Sequence, residues 1–206
     1  MMEIWLIFVG MLLEAISIAW AYFEIQIEGP NSWASGLPYS WKKDVSWFSK
    51  PITGYHVSLG ALGSLVLLFP LVIVSLVIGI EPIVNYLKSL GVMNLISLFL
   101  KTILISLSLL LAIVLHEDFL WNVINPDPRF GVKDFKKKYP QVGKTWYIPH
   151  TPMPIDFVIM TTLSLALALF AGMMAEWLVI FATMLAITLV IARARYKYDL
   201  SQENAI

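Results

Sequence analysis

The chain has 206 residues, 59% of them apolar and 14% charged, and contains no cysteine. Soluble domains run at about 45–50% apolar and about 25% charged, and a chain this short is mostly surface, so it cannot bury such an excess in a water-facing globule. These figures argue against a soluble enzyme and a disulfide-built secreted module, and fourteen Lys+Arg against fourteen Asp+Glu leave no basic excess for nucleic acid.

The expected architecture is an all-α, polytopic transmembrane helix bundle of four or five spans, forming one integral membrane domain over residues 1–206. A spanning helix needs about 20 apolar residues, because its backbone polar groups must be satisfied within the element. Residues 4–23 are the first such run, with Trp5 at one end and Trp20 and Tyr22 at the other, the aromatic pattern of membrane interfaces. Glu14 inside it, with no charged leader or small-residue cleavage site, argues against a removable signal peptide. Residues 57–80 are the second run, kinked at Pro70, and 81–91 read as an interfacial turn or short helix. Residues 93–115 are the third, with Lys101 inside it. The last apolar block, 155–192, would be about 55 Å long as one helix against a hydrocarbon core of about 30 Å. Two spans, 155–171 and 177–192, reversing across 172–176, are favoured; one long protruding helix is the alternative.

Charge placement orients the bundle. With five spans, Lys42, Lys43, Lys50, Arg129, Lys133, Lys136, Lys137, Lys138, Lys144, Arg193, Arg195 and Lys197 share one side, against Lys88 and Lys101. The richer side is cytoplasmic by the positive-inside rule, which puts the amino terminus outside and the carboxyl terminus inside a cell membrane. With four spans three charges cross over and the orientation stands. The two long connections, 24–55 and 116–154, then lie on the cytoplasmic face and carry five of the eight tryptophans. They are expected to fold back as an aromatic-rich loop cap at headgroup level.

Polar groups collect at that same end. Glu14, Ser17, Ala21, Glu24 and Glu28 fall within about 80° on a helical wheel, and Gly29-Pro30 is a stop signal for a helix that reaches Glu28. His56 opens the second span, His116 closes the third just before Glu117 and Asp118, His150 precedes the fourth, and Asp156 lies one turn inside it. Imidazole and carboxylate serve acid–base chemistry and metal ligation alike, whereas the bland reading is ordinary solvation at helix ends. No HxxxH, HExxH or ExxH spacing occurs, so no metal ligands are assigned and no cofactor follows. Glu14, about 15 Å into the membrane by helical rise, should face the bundle, protonated or paired. Lys101 is its expected partner, sharing a face with Asn94, Ser97, Ser108, Ala112 and His116; the alternative for Lys101 is snorkelling to the outer headgroups. Asn122 and Arg129, around the Asn125-Pro126-Asp127-Pro128 turn, are available to brace the carboxylates.

The segment from His116 to Pro126, with Glu24-Ile25-Gln26-Ile27-Glu28-Gly29 and Thr53-Gly54-Tyr55-His56, resembles small, uncharacterised prokaryotic multi-pass membrane proteins. The resemblance covers about a quarter of the chain, and implies a prokaryotic plasma membrane and no activity.

Three functions fit this pattern. The first is binding or modification of a lipid-like substrate, with Glu24, His116 and Glu117 as proton donor and acceptor. Glu14, Glu28, His56, Asp118, Trp121, Asn122, Arg129, His150 and Asp156 would then line the substrate site, with Trp121 as its wall. The second is a small transporter or proton/ion pathway relaying through Glu14 and Lys101. The third is a non-catalytic assembly or scaffold subunit whose cap binds a partner. Membrane lipids are the expected partners, nucleic acid is not, and the small-residue faces are compatible with a homo- or hetero-oligomer. Because the chain lacks cysteine, single His56→Cys and His150→Cys variants can be labelled with an impermeant thiol reagent; both should react from the cytoplasmic side only, and reaction from opposite sides would refute the shared face.

Overall fold

Four helices carry the described part of the chain: α1 (Met2–Glu28), α2 (Val92–Ile124), α3 (Ile155–Ala171) and α4 (Met174–Glu203). In the computed structural model the described residues are 2–28, 42–43, 52–53, 57–58, 61, 63, 85, 89–126 and 155–203. Two strands of two residues each, β1 (Lys42–Lys43) and β2 (Ile52–Thr53), pair antiparallel with Lys42 opposite Thr53.

Three helical stretches, Ile4–Ile27, Val92–Ile124 and Met174–Ser201, are long and apolar enough to cross a membrane, which fits a membrane-embedded protein. Only 28%, 22% and 22% of their most apolar windows is buried, so these helices turn most of their apolar surface outward. That is the inverse of a water-soluble core, and it suits lipid as the solvent. Residues 92–101 of α2, for example, are all exposed.

Helix directions follow from the contacts. Leu13 of α1 packs in one cluster with Ala112 and Ile113 of α2, and Ala21 and Ile25 pack farther along with Leu120 and Trp121. The two helices therefore run parallel. Glu14 meets Thr188 of α4 and Gly10 meets Ile180 and Thr183, so α4 is parallel to both. By contrast Ser108 and Phe119 of α2 meet Ser164 and Phe157 of α3, which makes α3 antiparallel. α2 and α4 thus stand between α1 on one side and α3 on the other.

The reversal between α3 and α4 falls inside the expected 172–176 stretch. Gly172 adopts φ 74°, its N–H donates to Leu169 O, and Met173 N–H donates to Ala168 O. This is the Schellman pattern, in which a left-handed glycine satisfies the last carbonyls of a helix. α3 covers the expected fourth run, 155–171, and at 17 residues is shorter than the other three helices. Of the second run, 57–80, only residues 57–58, 61 and 63 are described; the rest of that run, and most of both connections expected to form the aromatic cap, lie outside the described residues.

Two helices run past their expected boundaries, and α4 reaches Glu203 where an end at 192 was expected. α2 continues to Ile124 instead of ending near Leu115, because Leu120 and Trp121 extend its buried face against the far end of α1. Trp121, expected in a connection, is a helical core residue, 1% exposed.

Polar clasps replace apolar burial as the specific glue, as is usual where the surroundings are as greasy as the side chains. Ser108 Oγ donates to Ser164 O at 2.6 Å, Ser164 Oγ donates to Ser108 O at 2.7 Å, and Trp177 Nε1 donates to Ser164 Oγ at 2.9 Å. Small residues allow close approach: a Cβ built on Gly10 would stand 2.7 Å from Thr183 Cβ and 2.9 Å from the Ile180 carbonyl. Gly10→Ala should therefore cost about 1–3 kcal/mol by overpacking, measured as a lower melting temperature in detergent. Gly91→Ala, at an open position with φ −64°, should leave it unchanged; equal effects of the two would dismiss the tight α1–α4 contact.

Candidate functional site

The parallel register of α1, α2 and α4 brings one polar side chain from each to a common point. On α1, residues Gly10, Leu13, Glu14, Ser17, Ala21 and Ile25 form the buried stripe, repeating at the three- and four-residue spacing of one helix face. Glu14 is therefore turned inward and is fully buried. His116 lies on the α2 face that also carries Ser108 and Ala112. Thr188 continues the buried α4 row of Trp177, Ile180 and Met184.

The three close into a compact set. Thr188 Oγ1 donates to Glu14 Oε1 at 2.5 Å. His116 Nδ1 is 2.8 Å from Thr188 Oγ1 and 2.9 Å from Glu14 Oε2. Since the threonine proton points to the carboxylate, the ring nitrogen is the donor to Oγ1. Oε2 lies off that N–H axis and has no hydrogen bond among the described residues, so its short approach to the imidazole is electrostatic. Ser17, one turn along α1 from Glu14, donates to Leu13 O at 3.1 Å and approaches Ile113 O at 3.3 Å, which pins α1 to α2 beside the set. Phe181 meets the His116 ring edge-on at 5.3 Å and stacks on Trp177 at 4.6 Å.

On the side away from α1, His116 and Thr188 border a cleft of about 390 Å³ between α2, α3 and α4. Its lining is apolar and aromatic, with Leu115, Phe119, Phe157, Val158, Phe181, Leu185 and Leu189; Thr161 and Thr162 add hydroxyls, and His116 is the one titratable residue among the described lining residues. Thr161 donates its hydroxyl proton to the Phe157 carbonyl at 2.8 Å. The shape and the few convergent polar groups match small-molecule sites in general. His116 thus spans two environments, with Nδ1 tied to the packed side and its ring on the open one.

The other expected site residues are distributed as follows. Glu117 is buried on α2, about 100° around the helix from His116, and Glu24 is half-buried on α1. Asn122 is buried and donates to the Asp118 carbonyl at 3.1 Å, with Asp118 itself half-buried. Trp121 belongs to the α1–α2 cluster and is not among the cleft's lining residues. Glu28 and Asp156 are helical, but their side chains lie outside the described residues, as do His56, Arg129 and His150 entirely. No group of three or more acidic, His or Cys side chains among the described residues is arranged to hold a metal.

The expected Glu14–Lys101 contact is not made. Lys101 is exposed, and lies about 22 Å along α2 from His116, the residue level with Glu14. The parallel register decides this, since it sets Glu14 against the C-terminal half of α2. Thr188 was not anticipated. Its signal was a single hydroxyl on the otherwise apolar row Trp177, Ile180, Met184, Thr188, spaced three and four apart.

No family model matches the chain, and no curated protein or solved structure matches it either.

Removing one member of a buried pair leaves the other uncompensated, at about 3–5 kcal/mol in soluble proteins. Glu14→Leu and His116→Leu should each be strongly destabilising, with the double variant at least about 1 kcal/mol better than the sum; additive losses in a detergent-unfolding cycle would show that the two do not interact.

Proposed function

We propose that the chain is an integral, multi-pass protein of the cell membrane that binds, or modifies, a lipid-like molecule in the cleft between α2, α3 and α4. The observation that carries this reading is the pairing of an apolar cleft with a titratable wall residue, His116, oriented from behind by Glu14 and Thr188. A base or acid held by a carboxylate through its far nitrogen is the arrangement that fixes an imidazole for proton transfer at the near one. An apolar molecule can enter such a cleft from the bilayer and place a polar group against the ring.

In this reading His116 is the acid–base group, Glu14 and Thr188 position it, and Glu24 and Glu117 are further proton carriers toward the cytoplasmic end. Glu28, His56, Asp118, Asn122, Arg129, His150 and Asp156 belong to the substrate approach at that face. The amino terminus is outside and the carboxyl terminus cytoplasmic, membrane lipids are the partners, and nucleic acid is not one. A proton or ion pathway through Glu14 and Lys101 has less support, because Lys101 is exposed and remote from Glu14 along α2. A scaffold role has no observation specific to it.

Lipid mass spectrometry on the purified full chain tests the proposal. A lipid-like species enriched over the bulk membrane should co-purify, and Leu185→Trp, which fills the cleft from one wall, should lose it. Identical lipid profiles for the two proteins would overturn the reading.

A further inference from the structure

Resting on the cleft as a binding site, we infer that its occupant carries an uncharged hydrogen-bond acceptor, a carbonyl oxygen on an apolar body, received by His116 Nε2–H. Proton bookkeeping around the buried set leads there. Glu14 is fully buried and His116 is 4% exposed, and net charge at membrane depth is expensive, so the pair is held electrically neutral. Neutrality requires two protons between the imidazole and the carboxyl group.

Consider where they can sit. With a charged carboxylate, the ring holds both, one on Nδ1 facing Thr188 and Glu14, the other on Nε2. With a neutral carboxyl group, and Nδ1–H still donating to Thr188, the carboxyl proton would sit on Oε2, which has no hydrogen-bond partner among the described residues. That proton would have no acceptor, since the nearby Nδ1 at 2.9 Å already carries its own. Every neutral arrangement with satisfied contacts therefore leaves Nε2 as a donor. Nε2 has no hydrogen-bond partner among the described residues, and the ring borders the cleft. A donor that faces an apolar lining without a partner is costly, and an acceptor on the occupant removes that cost.

The rest of the lining selects against charge. No Lys or Arg among the described residues borders the cleft, and the Glu14 carboxyl group behind the ring cancels the imidazole's attraction for an anion. Phe119, Phe157 and Phe181 supply flat apolar walls. The cleft holds about a dozen methylene-sized groups, taking about 30 Å³ for each water-sized unit. A medium-length ketone, an ester or a quinone has the required combination.

The test uses the full chain in detergent, with 2-tridecanone, tridecane and tridecanoate as probes. The ketone should bind saturably, about tenfold or more tighter than the alkane, and tighter than the carboxylate. Its isotope-labelled carbonyl stretch should move to lower frequency on binding, a readout that needs no variant. His116→Phe, which keeps a ring in the wall, should bring ketone and alkane affinities together. Equal binding of ketone and alkane with an unshifted carbonyl, or a preference for the carboxylate, overturns this inference while leaving an apolar binding cleft in place. Binding of none of the three overturns the cleft itself. A diacylglycerol and an alkyl benzoquinone, run in parallel, distinguish a membrane ester from a free ketone as the natural source, and tighter binding of either than of tridecane supports the assignment.

Discussion

A carboxyl group carried into the apolar middle of a helix bundle must find compensation there, and the packing of α1, α2 and α4 is arranged around the compensation of Glu14. Its partners come from two other helices, His116 at 2.9 Å and Thr188 at 2.5 Å. A slip of one residue in any of the three would rotate its side chain by about 100° and break the set. Apolar faces alone tolerate such slips, because one greasy contact replaces another at similar energy when lipid is the competitor. The polar set thus fixes a register that burial leaves loose. Gly10, Ser17 and Ala21 on the same face of α1 keep the helices close enough for the contacts to form.

The serine clasp does the same for α3. Ser108 and Ser164 exchange hydroxyl-to-carbonyl bonds, and Trp177 closes the turn-side end of the α3–α4 hairpin through Ser164. At the polar end of α4, Arg195 pairs with Asp199 one turn on at 2.8 Å and lies over the Tyr198 ring. Every directional contact is made by few atoms, whereas the broad apolar surfaces of Phe99, Phe170 and Val190 remain outward.

The site and the packing share one residue. His116 closes the three-helix junction through Nδ1 and forms part of the cleft wall through the same ring, so bundle packing and the cleft wall depend on one side chain. A histidine oriented by a carboxyl group and a hydroxyl has a fixed ring plane, which is what recognition of a single polar atom in an apolar cleft demands. Phe181, in edge contact with His116 and stacked on Trp177, extends that rigidity to the α4 wall.

Composition and hydrophobic run length were enough to read an apolar helical protein, the α3 run at 155–171, the stop of α1 at Glu28 and the reversal near Gly172, because chain length against bilayer thickness and local turn chemistry are properties of contiguous residues. The inward stripe of Glu14, Ser17 and Ala21 was legible for the same reason: 3.6-residue periodicity is written along one helix. The choice of His116 over Lys101 as the partner of Glu14 was not, since two residues on one face of α2 are equivalent until the register between helices is set. Thr188 carried only the weak mark of a hydroxyl in an apolar row. The extension of α2 to Ile124 and the burial of Trp121 depended on α1 also continuing beyond its apolar run to supply the opposing surface. Which side chains meet across separate helices is decided by rotation and axial shift, and only the assembled bundle holds those two quantities.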